Sequence, residues 1–184
     1  MDTRTVLLLI DIQMDYFPGG RMELAGAEAA ALNAGRLLGA FRAAGRPIAH
    51  VRHVSTRPGA TFFLPGSAGV AFHPHVEPLF DESVVTKHFP NPFRETALLE
   101  ILREREATTL VIAGMMTHMC VDAAVRAAAD LGFACHVAAD ACAARDLSFG
   151  GRSVPAAHVQ AAFLAALHGT YAKVEECATL LGMA

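Results

Sequence analysis

Residues 108–138 read TTLVIAGMMTHMCVDAAVRAAADLGFACHVA. The first seven, TTLVIAG, are a near-continuous apolar run, as expected of a strand covered on both faces. Residues 118–131 then repeat alanine and valine at helical spacing, and Gly132 stops them. Residues 133–138 (FACHVA) return to strand character. Outward from this unit the alternation continues. Residues 5–10 (TVLLLI) are a buried strand, and 27–44 a helix with Ala27, Ala31, Ala34, Leu38 and Phe41 on one side. Gly45 and Pro47 end that helix, 47–53 (PIAHVRH) form a second strand, and 83–87 (SVVTK) a short third one. Helices are expected at 95–105, with Leu98, Leu99 and Leu102 inward, and at 155–168; a last short strand spans 170–174. Strands this apolar, alternating with helices, predict one α/β layered domain over residues 1–184 with a mostly parallel sheet. The stretch 54–82 carries four prolines and is expected to be a functional or mobile loop.

Composition narrows the function. The chain has 184 residues, 53% hydrophobic and 18% charged, which excludes disorder. Thirty-six residues are alanine, which suggests helices packed closely on a flat sheet. A net charge of -3 without a basic patch argues against nucleic acid as a partner. No apolar run approaches the roughly 20 residues needed to cross a bilayer. Residues 6–10 are too short for a signal-peptide core, so a cytoplasmic location is expected. Cys120, Cys135, Cys142 and Cys177 contain no CxxC spacing and read as free thiols rather than a metal cluster.

In parallel sheets ligands sit beyond the carboxyl ends of the strands. Asp11, Ile12 and Gln13 follow the first strand, Lys87 and His88 the third, and Gly114 to Cys120 the fourth. Each has a plain reading alone: Asp11 as a turn cap, Lys87 as a surface lysine, Cys120 as a small buried hydrophobe. Together they put an acid, an amine and a thiol on one rim. Cys120 falls in the first turn of a helix, where free N–H groups and the helix dipole favour a thiolate and can receive an oxyanion. An apolar site would raise the pKa of Asp11, and a nearby Lys87 would oppose that. Cys135, mid-strand, and Cys142 and Cys177 have blander settings.

Asp11-Ile12-Gln13, Lys87 and the stretch Val111 to Val121 together resemble the isochorismatase-like cysteine hydrolases, which include nicotinamidases, N-carbamoylsarcosine amidohydrolase and ureidoacrylate hydrolases. The resemblance runs from Val6 to about Val174. It implies a three-layer α/β/α, doubly wound, Rossmann-like fold with a six-stranded sheet in the order 3-2-1-4-5-6. It also implies a catalytic triad on Asp11, Lys87 and Cys120. A cis peptide bond at Met115–Met116 and an oxyanion hole on the N–H groups of Met116 and Cys120 follow from it too. Asp15 to Gly20 resembles the first loop of nicotinamidases. The Asp-x-His metal pair of those enzymes is absent, however: the corresponding stretch is Val51-Arg52-His53-Val54-Ser55. His73 and His75 read as surface-loop histidines, so neither a metal nor a cofactor is expected.

The expected pocket is apolar, lined by Phe17, His53, Phe62, Phe63, Phe93, Thr117 and Met119, with Gln13 orienting Asp11 or touching substrate. A small uncharged amide, lactam or ureide fits it better than a phosphate. Isochorismatases proper, which cleave an enol ether, lack the cysteine, so Cys120 favours C–N hydrolysis. The alternatives are a catalytically idle binding protein on the same fold and a hydrolase of a non-amide substrate. A dinucleotide-binding protein lacks its glycine signature here. The resemblance implies a homodimer or homotetramer, with the alanine-rich helices and residues 170–184 as candidate contact surfaces.

Overall fold

The computed structural model describes residues 4–182. Its strands are β1 (Thr5–Ile10), β2 (Ile48–His53), β3 (Ser83–Lys87), β4 (Thr109–Met115), β5 (Ala134–Ala143), β6 (Leu147–Phe149), β7 (Arg152–Val154) and β8 (Lys173–Glu175). Its longer helices are α1 (Ala27–Ala43), α2 (Leu98–Glu104), α3 (Asp122–Asp130), α4 (Ala156–Leu167) and α5 (Cys177–Leu181). Six strands lie side by side in the order β3-β2-β1-β4-β5-β8, and every neighbouring pair is parallel. The expected order therefore holds, with β8 as the sixth strand.

Alternation along β1 divides the core. Leu7 and Leu9 pack with Ala31, Ala34, Leu38 and Phe41 of α1 and with Leu180 of α5. Val6, Leu8 and Ile10 pack with Leu98 and Leu102 of α2, Val125 of α3 and Leu167 of α4. This is the three-layer arrangement of a sheet covered on both faces. The order of the strands reverses between β1 and β4, and a crevice opens at such a switch point. Gly114 sits there at φ +144°, and a Cβ on it would lie 2.0 Å from the Ile10 carbonyl oxygen. Only glycine lets β4 approach β1 this closely just before Asp11.

Several boundaries depart from the sequence reading. The helix expected at 118–131 begins only at Asp122, because residues 117–121 form a single π turn. The helix expected from 95 begins at Leu98: Glu95 takes a left-handed conformation, and the Thr96 hydroxyl accepts the Leu98 N–H at 3.3 Å. The last strand begins at Lys173 rather than 170. Strand β5 runs on to Ala143 past a bulge, its register jumping from Ile112↔Val137 to Gly114↔Cys142. The antiparallel β6–β7 hairpin was not expected; its turn is Gly150-Gly151, both at positive φ, as a two-residue hairpin loop requires. Alanine also divides in two. Ala27, Ala30, Ala31 and Ala34 of α1 and Ala124 and Ala128 of α3 are buried against the sheet, whereas Ala157, Ala161, Ala162, Ala165 and Ala166 of α4 face outward. No helix among the described residues is long and apolar enough to cross a membrane.

Candidate active site

Three strand ends and one turn build the site. Asp11 follows β1 directly, with φ +51°, a left-handed conformation that aspartate tolerates better than most residues. Lys87 is the last residue of β3, paired in register with His53, the last residue of β2. Cys120 lies in the π turn after β4. That turn closes on Met116, whose carbonyl accepts the N–H groups of Met119 at 3.0 Å and Val121 at 3.3 Å. The Met115–Met116 peptide bond is cis.

The Lys87 ammonium is the hub. Nζ lies 2.7 Å from Asp11 Oδ2, an ion pair with both side chains fully buried. It donates to Cys120 Sγ at 3.2 Å and stands 3.0 Å from His53 Nδ1. An ammonium has only donors, so His53 Nδ1 accepts and its proton is on Nε2. Neither Asp11 oxygen receives a well-directed hydrogen bond from the described residues. The carboxylate is thus held by the ammonium at Oδ2, which leaves Oδ1 without a partner among the described residues.

Burial and charge tune these groups in opposite directions. Burial pushes the Cys120 thiol far up and the Asp11 carboxylate adds to that, against the opposing Lys87 charge. The resting group is therefore a thiol, not the thiolate that a position in the first turn of a helix suggested. The π turn takes Cys120 out of that first regular turn. Burial alone would lower the Lys87 pKa, but Asp11 and Cys120 outweigh it and the ammonium is stabilised. His53 is pushed down to about 4 by burial and then by Lys87, so it is neutral at physiological pH. Burial, with Cys120 and Asp11 next, raises the Tyr16 phenol, which stays protonated beside the site.

The other expected contact residues separate by partner. Gln13 is fully buried and its amide is spent on backbone: Oε1 accepts the His53 N–H at 2.7 Å, and Nε2 donates to the carbonyls of His53 at 3.0 Å and Val70 at 2.9 Å. It fixes the end of β2, and so His53, rather than orienting Asp11. Phe17 is a core residue stacked on His73, with ring centroids 4.0 Å apart. His73 is accordingly buried, contrary to its reading as a surface histidine, and its Nδ1 accepts the His75 N–H at 3.3 Å. Phe63 is buried, 5.9 Å from the His53 ring, and half-buried Phe62 packs on it at 5.0 Å. Phe93 stacks on Phe133 at 6.4 Å. Thr117 is buried and donates to Gln160 Oε1 of α4 at 2.6 Å, tying the π turn to that helix. Met119, 43% exposed, is the most open of the set.

Three features escaped the sequence reading. His53 touches the hub, a contact that only the β2–β3 register reveals. Buried Asp15 accepts the N–H groups of Phe63 at 2.5 Å and Arg21 at 3.3 Å, holding the loop over the site. Gly69 leaves it room, since a Cβ there would meet the Asp15 carboxylate at 2.1 Å. Exposed Arg145, just beyond β5, carries a charge that acts on both Tyr16 and His118. The sequence signal for Asp15 was its place in the resembling loop, Asp15 to Gly20; His53 was marked as a pocket residue only, and nothing marked Arg145. Among the described residues, one set of three side chains brings metal-ligating atoms together: Asp11, His53 and Cys120, within 4.8 Å of one another.

Comparison with known proteins identifies the family. The Isochorismatase domain model matches residues 5–171. YddQ, an isochorismatase family protein of Bacillus subtilis, is 49% identical over 171 residues, 93% of this chain and 95% of its own length. A streptothricin hydrolase of Streptomyces noursei is 32% identical over 141 residues, covering 77% of this chain and 50% of its own. A crystal structure from Oleispira antarctica, assigned to the isochorismatase hydrolases, superposes with a TM-score of 0.95 at 50% identity, covering 99% of this chain and 98% of that one. The chain belongs to the isochorismatase family of hydrolases.

Proposed function

We propose that the chain is a cysteine hydrolase that cleaves the C–N bond of a small amide, lactam or ureide through a thioester. One observation carries the reading: a fully buried ammonium touches a carboxylate and a thiol at the same time. The similarity to a streptothricin hydrolase supports a hydrolytic reaction.

The steps follow from the charges. As Sγ attacks the carbonyl carbon, its proton passes to Asp11, so the thiolate forms only when it is used. Lys87 holds the negative charge wherever it resides, first on Asp11 and then on sulfur. The tetrahedral oxyanion is received by the Met116 and Cys120 N–H groups. Asp11 gives its proton to the departing amine or ammonia, leaving the thioester. Water then attacks, Asp11 accepting its proton, and the acid departs as sulfur is re-protonated. Phe62, Met116 and Met119 are the apolar groups we assign to substrate contact. The charge-free outer face of α4 is where we place pairing in a homodimer, since a two-fold contact sets each residue against its own copy's surface.

The test is a screen of small amides and ureides for ammonia or amine release, comparing wild type with Cys120→Ala. Turnover should fall by about 10³-fold or more in the variant, and acid quenching during turnover should trap an acyl adduct on Cys120 by mass spectrometry. Undiminished turnover in Cys120→Ala, or an adduct on another cysteine, rejects the mechanism.

A further inference from the structure

The contacts of Lys87 describe a cage. Asp11 Oδ2, His53 Nδ1 and Cys120 Sγ surround Nζ at 2.7, 3.0 and 3.2 Å, and the three donors converge to within 4.8 Å of one another. Oxygen, imidazole nitrogen and sulfur make a set that suits zinc, which binds such ligands at about 2.0–2.3 Å. The His53 lone pair already points at the centre, because the ammonium draws it there. Asp11 Oδ1 has no directed partner among the described residues. Lysine therefore stands where a cation would stand.

We propose that the triad is also an inhibitory site for a soft divalent cation, zinc first, which competes with the Lys87 ammonium for the cage. On binding, the metal forms bonds to an Asp11 oxygen, His53 Nδ1 and Cys120 Sγ. The thiol proton is released to solvent, and the ammonium leaves the cage with its own proton. The aspartate and the thiolate together carry two negative charges, which a divalent ion neutralises and an ammonium only half neutralises. With sulfur bonded to the metal and Asp11 engaged, no proton can pass between them. Inhibition, though not binding, rests on the hydrolase reading above.

The experiment titrates zinc chloride into the metal-free full chain, read by calorimetry. Cobalt substitution, with its thiolate-to-metal charge-transfer absorption, serves as the second readout. Neither measurement requires turnover, so it can succeed where the amide reading fails, and the reverse. One ion per chain is expected, with binding abolished in Cys120→Ala and in His53→Ala and unchanged in His73→Ala. Lys87→Met, which empties the cage of its competing charge, should bind at least about tenfold more tightly. If Lys87→Met does not fold by circular dichroism, the wild-type, Cys120→Ala and His53→Ala titrations decide alone. Binding that survives Cys120→Ala, binding lost in His73→Ala, or no uptake by the wild type overturns the site. Weaker binding in a folded Lys87→Met overturns the competition.

Discussion

Strand β2 carries two histidines, and each stands beside a carboxylate and a cation. At one end His53 meets Lys87 and, through it, Asp11. Near the other, His50 meets Glu82, which is also held by Arg42. The parts are alike and the satisfaction is opposite. The Glu82 oxygens take two bonds from Arg42 at 2.7 and 2.8 Å, one from the Leu79 N–H at 2.8 Å and one contact from His50 Nε2 at 2.8 Å. Burial would raise its pKa, but these partners bring it down to about 2. Asp11 has one ion pair and no directed bond. A saturated carboxylate is a clamp and has nothing left to give a substrate. An unsaturated buried one can take a proton. A cleft of about 480 Å³ runs past Arg42, Arg46, Asp81 and Glu82 at the clamp end, while the Cys120 thiol is nearly covered.

The comparison breaks most visibly in kinetics. Asp11→Asn keeps size but cannot accept the thiol proton, and kcat/KM should fall by about 10²–10⁴-fold. Glu82→Gln should leave kcat/KM of the folded enzyme within about twofold of wild type. Measured on the same substrate, equal losses in both variants would erase the distinction between clamp and base.

Stability sharpens it next. Lys87→Met leaves Asp11 charged, buried and alone, which costs about 3–5 kcal/mol in urea denaturation. Glu82→Gln loses the charge-assisted part of its bonds to Arg42, about 1–3 kcal/mol at neutral pH. The folded pKa of Glu82 lies below its unfolded one. Its contribution is therefore complete above about 4.5 and is lost as pH falls towards 2. The gap between wild type and Glu82→Gln should accordingly narrow between pH 5 and pH 3. A gap constant over that range would mean that Glu82 is not held ionised by its partners.

The two ends also differ in how far the sequence disclosed them. Strands β1 and β4 were legible because burial on both faces leaves an unbroken apolar run, and no other element of this length writes one. Asp11 and Cys120 were legible because each follows such a run and Lys87 because it ends a short strand, and a parallel sheet delivers its strand ends to one rim. His53 was not legible as the partner of Lys87, since strand register is set by packing between distant segments rather than by local spacing. The Glu82 clamp was hidden for the same reason: Arg42, His50 and Glu82 come from a helix, a strand and a loop. Gln13 looked like a site residue by position, and only its saturated amide shows that it is a brace. The π turn had no signature, because residues 117–121 continue smoothly into helical spacing.

The smallest effect separates the two histidines themselves. Burial lowers the pKa of both. At His50 the neighbouring Glu82 carboxylate pulls against burial, whereas at His53 the Lys87 ammonium pushes with it and takes the value down to about 4. His53 should therefore titrate below His50 when the imidazole resonances are followed by NMR. The thermodynamic sign follows from where the proton goes. Between about pH 6.5 and 4 the unfolded His53 binds a proton that the folded one refuses, so stability falls as pH falls through that window. His53→Leu removes this term along with one hydrogen bond accepted from the Lys87 ammonium, a loss of about 1.5–3 kcal/mol at neutral pH. The variant should then lose less stability than wild type between pH 6.5 and 4.5, its urea midpoints converging on the parent's from below. Parallel lines would mean that His53 is protonated in the folded state. The ammonium would then have lost its acceptor, and the two ends of β2 would be electrostatically the same.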